Sequence, residues 1–292
     1  MRGRRGGIGG LVVLLAVAAL GGVGLAWLRG SPSEEHAPGA LTRTVAIERL
    51  VTLRVIFPEG FTRADMAARV AAVRKIAIRK RHVRPRLTES GYLAATSVVK
   101  PPAAFRKDVR RHSIEGFLFP ATYAFTQKTR AAELVAEQLA AFERAFGGLN
   151  LRYARSKNLT PYDVLVIASM IEKEAVVPAE RPLIAAVIYN RLHEHMPLGI
   201  DATIRYGLDI PGTKSLTESA IRSSNPYNTR RFRGLPPTPI ANPGLASLRA
   251  AAHPARVDYL YYVRKPDKRH HFFTADVNAF LRKACEYGYG CS

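Results

Sequence analysis

The chain has 292 residues and is 47% apolar, enough to bury a substantial core, which excludes a wholly disordered polypeptide. Its 44 Lys and Arg against 23 Asp and Glu leave a net charge of +21. That excess favours a polyanionic partner, whether nucleic acid, an anionic membrane surface or an acidic cell-envelope polymer. A GC-rich genome also enriches arginine, so charge alone does not choose among them.

The first segment narrows the choice. Twenty-three uncharged residues lie between Arg5 and Arg29, long enough to cross a bilayer as a helix. Arg2, Arg4 and Arg5 precede them, which places the N-terminus in the cytoplasm. A cleaved signal peptide is the other reading, but the run is long and no clear small-x-small site stands out before Trp27 and Arg29. The bulk of the chain is then expected outside the cytoplasm, which argues against nucleic acid as a partner.

Residues 30–48 carry Gly30, Pro32 and Pro38 and read as a linker. Val51 to Phe57 reads as a strand, Pro58-Glu59-Gly60 as a turn, and Thr62 with Asp65 as the cap of a helix through Met66, Val70 and Val73. A basic stretch from Arg74 to Arg86 follows; it is either a solvated face or a contact for anionic lipid or envelope polymer. Arg130 to Phe146 has the apolar spacing of an amphipathic helix. Thr160-Pro161-Tyr162-Asp163 opens another helix, which should end before Pro178. A third is expected from about Arg181 to Glu194. Five prolines between Ser223 and Pro243 predict a long structured loop, and Leu245 to Ala252 a short helix. Tyr259 to Val263 and His271 to Thr274 read as paired strands, with a last helix from Asp276. This mixture predicts an α+β fold. Cys285 and Cys291 could close a small disulfide loop in an oxidising compartment; as a zinc site they lack companions.

The chemistry concentrates at Ser169 to Arg181, where Glu172 and Glu174 end an apolar helical pattern. A carboxylate pressed on apolar side chains keeps its proton toward neutral pH and can act as a general acid. Two residues apart on a helix, the pair differ by about 200° in direction. Glu174 shares its face with Ile167, Met170 and Ile171, the bulkier stripe, and is the better candidate. Two surface glutamates at an unfavourable helix end are the plainer alternative. Glu180, Asp201 and Glu115 are further acids that could be structural or line a cleft. His253 and His271 find no serine in a nucleophile elbow, and no glycine pattern forms a phosphate loop.

Glu115 to Pro120, Ala168 to Glu174, Asn190-Arg191-Leu192, Pro226 to Thr229 and Asn242-Pro243-Gly244, read together, resemble the endolytic murein transglycosylases, the YceG-like family of single-pass membrane proteins. The matching segments include Glu115 to Pro120, Ala168 to Glu174, Glu180-Arg181, Asn190-Arg191-Leu192, Met196-Pro197-Leu198 and Asp201. They continue with Tyr206-Gly207, Pro226 to Thr229, Gly234 to Ile240, Asn242-Pro243-Gly244 and Ala250 to Pro254. The resemblance implies a membrane anchor at 1–29, the linker at 30–48, a truncated LysM-like strand-turn-helix unit at 49–87, and an α+β catalytic domain at 88–292. It implies Glu174 as the catalytic acid, with Glu172, Glu115, Glu180, Asn190, Asp201, Tyr227 and Asn228 supporting it or binding substrate. It implies peptidoglycan glycan strands as substrate, the plasma membrane as location, peptidoglycan synthases as partners, and neither a cofactor nor a metal. A membrane-anchored binding protein with dead chemistry, or a hydrolase using Glu172 or Asp201 as a second acid, are the alternatives. Ala121, Gly199 and Ala202 depart from the residues common in the family at those places.

Overall fold

The computed structural model describes residues 50–108 and 113–290. The anchor and linker expected at 1–48 lie outside them, and so does Cys291. Among the described residues no helix is long and apolar enough to cross a membrane.

Strand β1 (Thr52–Ile56) alternates, with Leu53 and Val55 turned into the core. Helix α1 (Arg63–Arg81) starts at the expected capping box: Asp65 N–H donates to Thr62 Oγ1, and Thr62 N–H to Asp65 Oδ2. It ends at His82, in the left-handed conformation with φ 54°. Helix α2 (Glu89–Val98) follows, capped by Thr88, and leads through a 3-10 turn at Ala103–Phe105 to β2 (Thr122–Thr126). β1 and β2 pair antiparallel, with Val55 opposite Tyr123 and Leu53 opposite Phe125. The strand-turn-helix unit expected at 49–87 is thus completed by α2 and β2 into a β-α-α-β unit. The division at residue 87 marks no break in packing, because residues 48–292 form one compact unit.

Helices α3 (Ala131–Gly147), α4 (Arg152–Ser156) and α5 (Pro161–Glu174) come next. The Thr160–Asp163 capping box and Pro161 start α5 where the sequence predicts. Every residue of α5 from Tyr162 to Ile171 is buried. The helix is therefore enclosed on all sides, rather than covered along one stripe. Beside it, Phe105, Phe117, Phe142 and Phe146 form an aromatic cluster with ring centroids 4.9–5.6 Å apart.

A 3-10 turn (Pro178–Glu180) leads into α6 (Arg181–His193), then α7 (Asp201–Gly207) and α8 (Glu218–Ile221). The proline-rich loop docks on α5 through Ile240 N–H, which donates to Ser169 Oγ at 3.0 Å. Gly116 has φ 90° beneath this loop, and a Cβ there would lie 2.7 Å from Pro239, so only glycine fits. Helix α9 (Leu245–Ala252) packs on α5 and α6. A hairpin of β3 (Tyr261–Arg264) and β4 (His271–Thr274) follows, and α10 (Val277–Glu286) closes the fold.

Candidate active site

Glu174 is the last residue of α5, at the point where the chain leaves the buried helix. The phenol of Tyr262, on β3, donates to its Oε2 at 3.3 Å. Burial raises the Glu174 carboxyl above the usual carboxylate range. Arg264 pulls it down, the Asp201 charge pushes it up, and the Tyr262 bond and Arg230 pull it down again. The result is a carboxyl that holds its proton further toward neutrality than a surface glutamate, with cations near enough to steady its ionised form.

The groups around it come from distant parts of the chain. Asp201 is the first residue of α7, and its Oδ1 accepts from Arg230 Nε at 2.7 Å. Asn228 is fully buried and anchors this segment: its Nδ2 donates to the carbonyls of Ile221 and Ser223, while its Oδ1 accepts from Arg230 N–H. Tyr227 donates or accepts at Thr238 Oγ1 and packs its ring on Tyr206. Asn190 donates to the carbonyls of Val257 and Tyr259, both at 2.9 Å. Arg191 ties the carbonyl of Leu260 to those of Pro197 and Leu198 and lies over the Tyr261 ring. These two residues of α6 thereby fix the entry of β3, which carries Tyr262.

Glu180 holds the other strand. Its Oε1 accepts from His271 N–H at 2.9 Å, and its Oε2 lies 2.7 Å from His271 Nδ1. A carboxylate only accepts, so Nδ1 carries the hydrogen. The His271 ring in turn meets Tyr262 edge-on, 5.3 Å between centroids. A line of contacts therefore runs from the buried Glu180 through His271 and Tyr262 to Glu174.

Glu172 points elsewhere, as the 200° separation requires. Its Oε2 accepts from Gly244 N–H at the start of α9, and its Oε1 lies 3.8 Å from Arg181. Glu59 stands beside it: burial raises that carboxyl, and the Glu172 charge raises it further. Of the residues named from sequence, Glu174 and Asp201 come together. Glu172, Glu115, Glu180, Asn190, Tyr227 and Asn228 instead hold the frame by internal hydrogen bonds. Tyr262, Arg264, Arg230 and Arg191 are site residues that sequence reasoning missed. The only signal for the first two was the i, i+2 spacing of Tyr262 and Arg264 on one strand face.

Glu115 is buried where the start of α1 meets α7. It accepts from Arg63 N–H at 3.0 Å, Asn242 Nδ2 at 2.7 Å and Tyr206 Oη at 3.3 Å. Burial pushes its carboxyl from 4.5 up to about 7, and these donors hold it from rising further. Its folded-state value lies above the unfolded one. The cost is therefore absent below the unfolded value and grows as pH rises through the folded value. Relative to Glu115→Gln, the wild-type protein is expected to lose about 3 kcal/mol of stability between about pH 4 and about pH 8. Urea melts of both proteins across that range measure it; parallel curves would contradict it.

The basic stretch lies away from this site. Arg74, Lys75 and Arg79 line an open cavity of about 680 Å³ between α1 and α2, with Ile78 and Leu93 among its apolar walls.

Comparison with known proteins adds the following. The profile of the YceG-like family matches residues 32–286. An endolytic murein transglycosylase of Bacillus subtilis is 32% identical over 216 residues, 73% of this chain and 59% of its own length. One from Streptococcus pneumoniae is 34% identical over 233 residues, 73% of this chain and 40% of its own length. The chain thus spans less than two thirds of either relative. A crystal structure of a YceG-like protein from Listeria monocytogenes superposes with a TM-score of 0.65 at 27% identity, covering 78% of this chain and 75% of the other.

Proposed function

The chain belongs to the YceG-like family, and from that membership and the Glu174 site we propose that it is a lytic endotransglycosylase of peptidoglycan strands. The observation that carries the proposal is a carboxyl at the end of a helix buried from Tyr162 to Ile171, raised by burial and oriented by the Tyr262 phenol. The Tyr262 hydroxyl engages Oε2, which leaves the proton on Oε1 free to transfer. Glu174 gives that proton to the oxygen between N-acetylmuramic acid and N-acetylglucosamine as the bond from the muramic C1 breaks. The ionised Glu174, steadied by Arg264 and Arg230, then removes the proton from the muramic C6 hydroxyl. The C6 oxygen closes on C1, giving a 1,6-anhydro end. Glu174 recovers its proton, and no water enters. One carboxyl thus serves as both acid and base, where hydrolases use two.

In this reading residues 1–29 anchor the protein in the plasma membrane with the N-terminus cytoplasmic, and residues 30–48 carry the rest outward. The β-α-α-β unit that begins at residue 49 is the LysM-like part, and residues beyond it hold the catalytic site. The substrate is nascent strand near the membrane, so cleavage ends elongation, with synthases as neighbours. The second reading is an inactive anchored binder of peptidoglycan. Incubation of purified protein with isolated glycan strands separates the two: chromatography is expected to show new short fragments, whereas intact strands retained on the protein would favour the binder.

A further inference from the structure

Strand β3 alternates, so Tyr262 and Arg264 project from the same face, one pleat or about 7 Å apart. Tyr262 bonds Glu174, and the Arg264 charge is the strongest attraction acting on that carboxyl. The other arginines of this region are committed. Arg191 is held by three carbonyls, Arg230 by Asp201, and Arg181 by Ser247 and Glu172. Arg264 is half-buried, and among the described residues nothing accepts a hydrogen bond from its guanidinium.

Two costs attach to this placement. A partly desolvated guanidinium without an acceptor forfeits hydration. A cation beside a general acid also favours the ionised form and works against proton donation. Both costs are removed if the substrate brings an anion to this position. Resting on the transglycosylase reading, we propose that Arg264 receives a carboxylate of the peptide borne by the muramic acid at the cleaved bond. Its planar fork suits a carboxylate held by two parallel hydrogen bonds. The muramic lactyl group places that peptide on the sugar whose C1 Glu174 serves.

The consequence couples binding to chemistry. Once a carboxylate neutralises Arg264, the guanidinium pulls less on Glu174, and the acid form gains in the complex. Asp201, Arg230 and Tyr262 also face Glu174, but Arg230 and Asp201 already compensate each other. The substrate thus primes its own cleavage, and strands whose peptide carboxylates are masked are cut poorly because they bring no anion to Arg264.

The test compares strands whose stem peptides carry free carboxylates with the same strands after carbodiimide coupling to ammonia has turned those carboxylates into amides, using wild type, Arg264→Gln and Arg264→Lys. Wild type is expected to favour the free-carboxylate strands in kcat/KM by about 10- to 100-fold, the range of a charge-assisted pair. Arg264→Gln should lose that preference, its rate falling further on the free-carboxylate strands than on the masked ones, and Arg264→Lys should retain part of it. Equal cleavage of both substrates by wild type would overturn the proposal, whatever the variants do. So would an Arg264→Gln protein that keeps the preference or loses rate equally on both substrates. No cleavage of either substrate by wild type would instead count against the transglycosylase reading itself.

Discussion

Glu174→Gln is expected to slow strand cleavage by about a thousandfold or more, because in the proposed mechanism the same group donates the first proton and removes the second. Glutamine keeps the shape and can still accept from the Tyr262 hydroxyl, so the fold should survive. Thermal melting within a few degrees of wild type would show that only chemistry was lost. The pH dependence follows from the raised carboxyl. Activity should fall as pH rises through its folded value, since the donor form is then depleted. Glu172→Gln is the contrasting variant. Glu172 accepts from Gly244 N–H and lies beside Arg181, so the loss of its charge should appear in stability and leave most of the rate. If Glu172→Gln removed activity and Glu174→Gln spared it, the acid would have been misassigned.

Glu180→Ala should have the largest effect on stability, a loss of about 3–5 kcal/mol. The side chains of His271 and Glu180 are only 1% and 10% exposed, so the variant leaves a ring N–H and a backbone N–H of His271 buried without their acceptor. An exposed pair behaves differently. Arg130 and Glu133 are 74% and 48% exposed, and breaking that pair with Arg130→Ala should leave stability almost unchanged. Glu180→Ala should also slow cleavage, because His271 supports Tyr262 and Tyr262 orients Glu174. Urea unfolding of the two alanine variants provides the comparison. Equal midpoints would contradict the buried-pair argument.

Much of the fold was legible because its helix starts carry local chemistry. The capping boxes at Thr62 and Thr160 need only residues three apart, and both helices begin where those residues stand. α2 and α7 were missed for the converse reason. α7 spans seven residues and starts without a side-chain cap, and α2 is short and only weakly amphipathic. β2 was missed although Thr122 to Thr126 alternates, since its partner β1 lies some 70 positions earlier in the chain. The site was legible in part. The facial argument chose Glu174, yet α5 is buried all round, so the stripe beneath it did not make the distinction. The neighbours did: α9 takes Glu172, and β3 takes Glu174. Tyr262 is 88 residues from Glu174, and Arg230 is 29 from Asp201, separations that no local pattern reports.

The central claim is that Glu174 turns the muramic C6 hydroxyl, rather than water, onto C1. Digestion of glycan strands in oxygen-18 water, followed by mass spectrometry of the new ends, tests it most directly. The expected 1,6-anhydro product has ends lighter than a reducing sugar by one water and free of the heavy isotope. Reducing ends carrying oxygen-18 would contradict that claim.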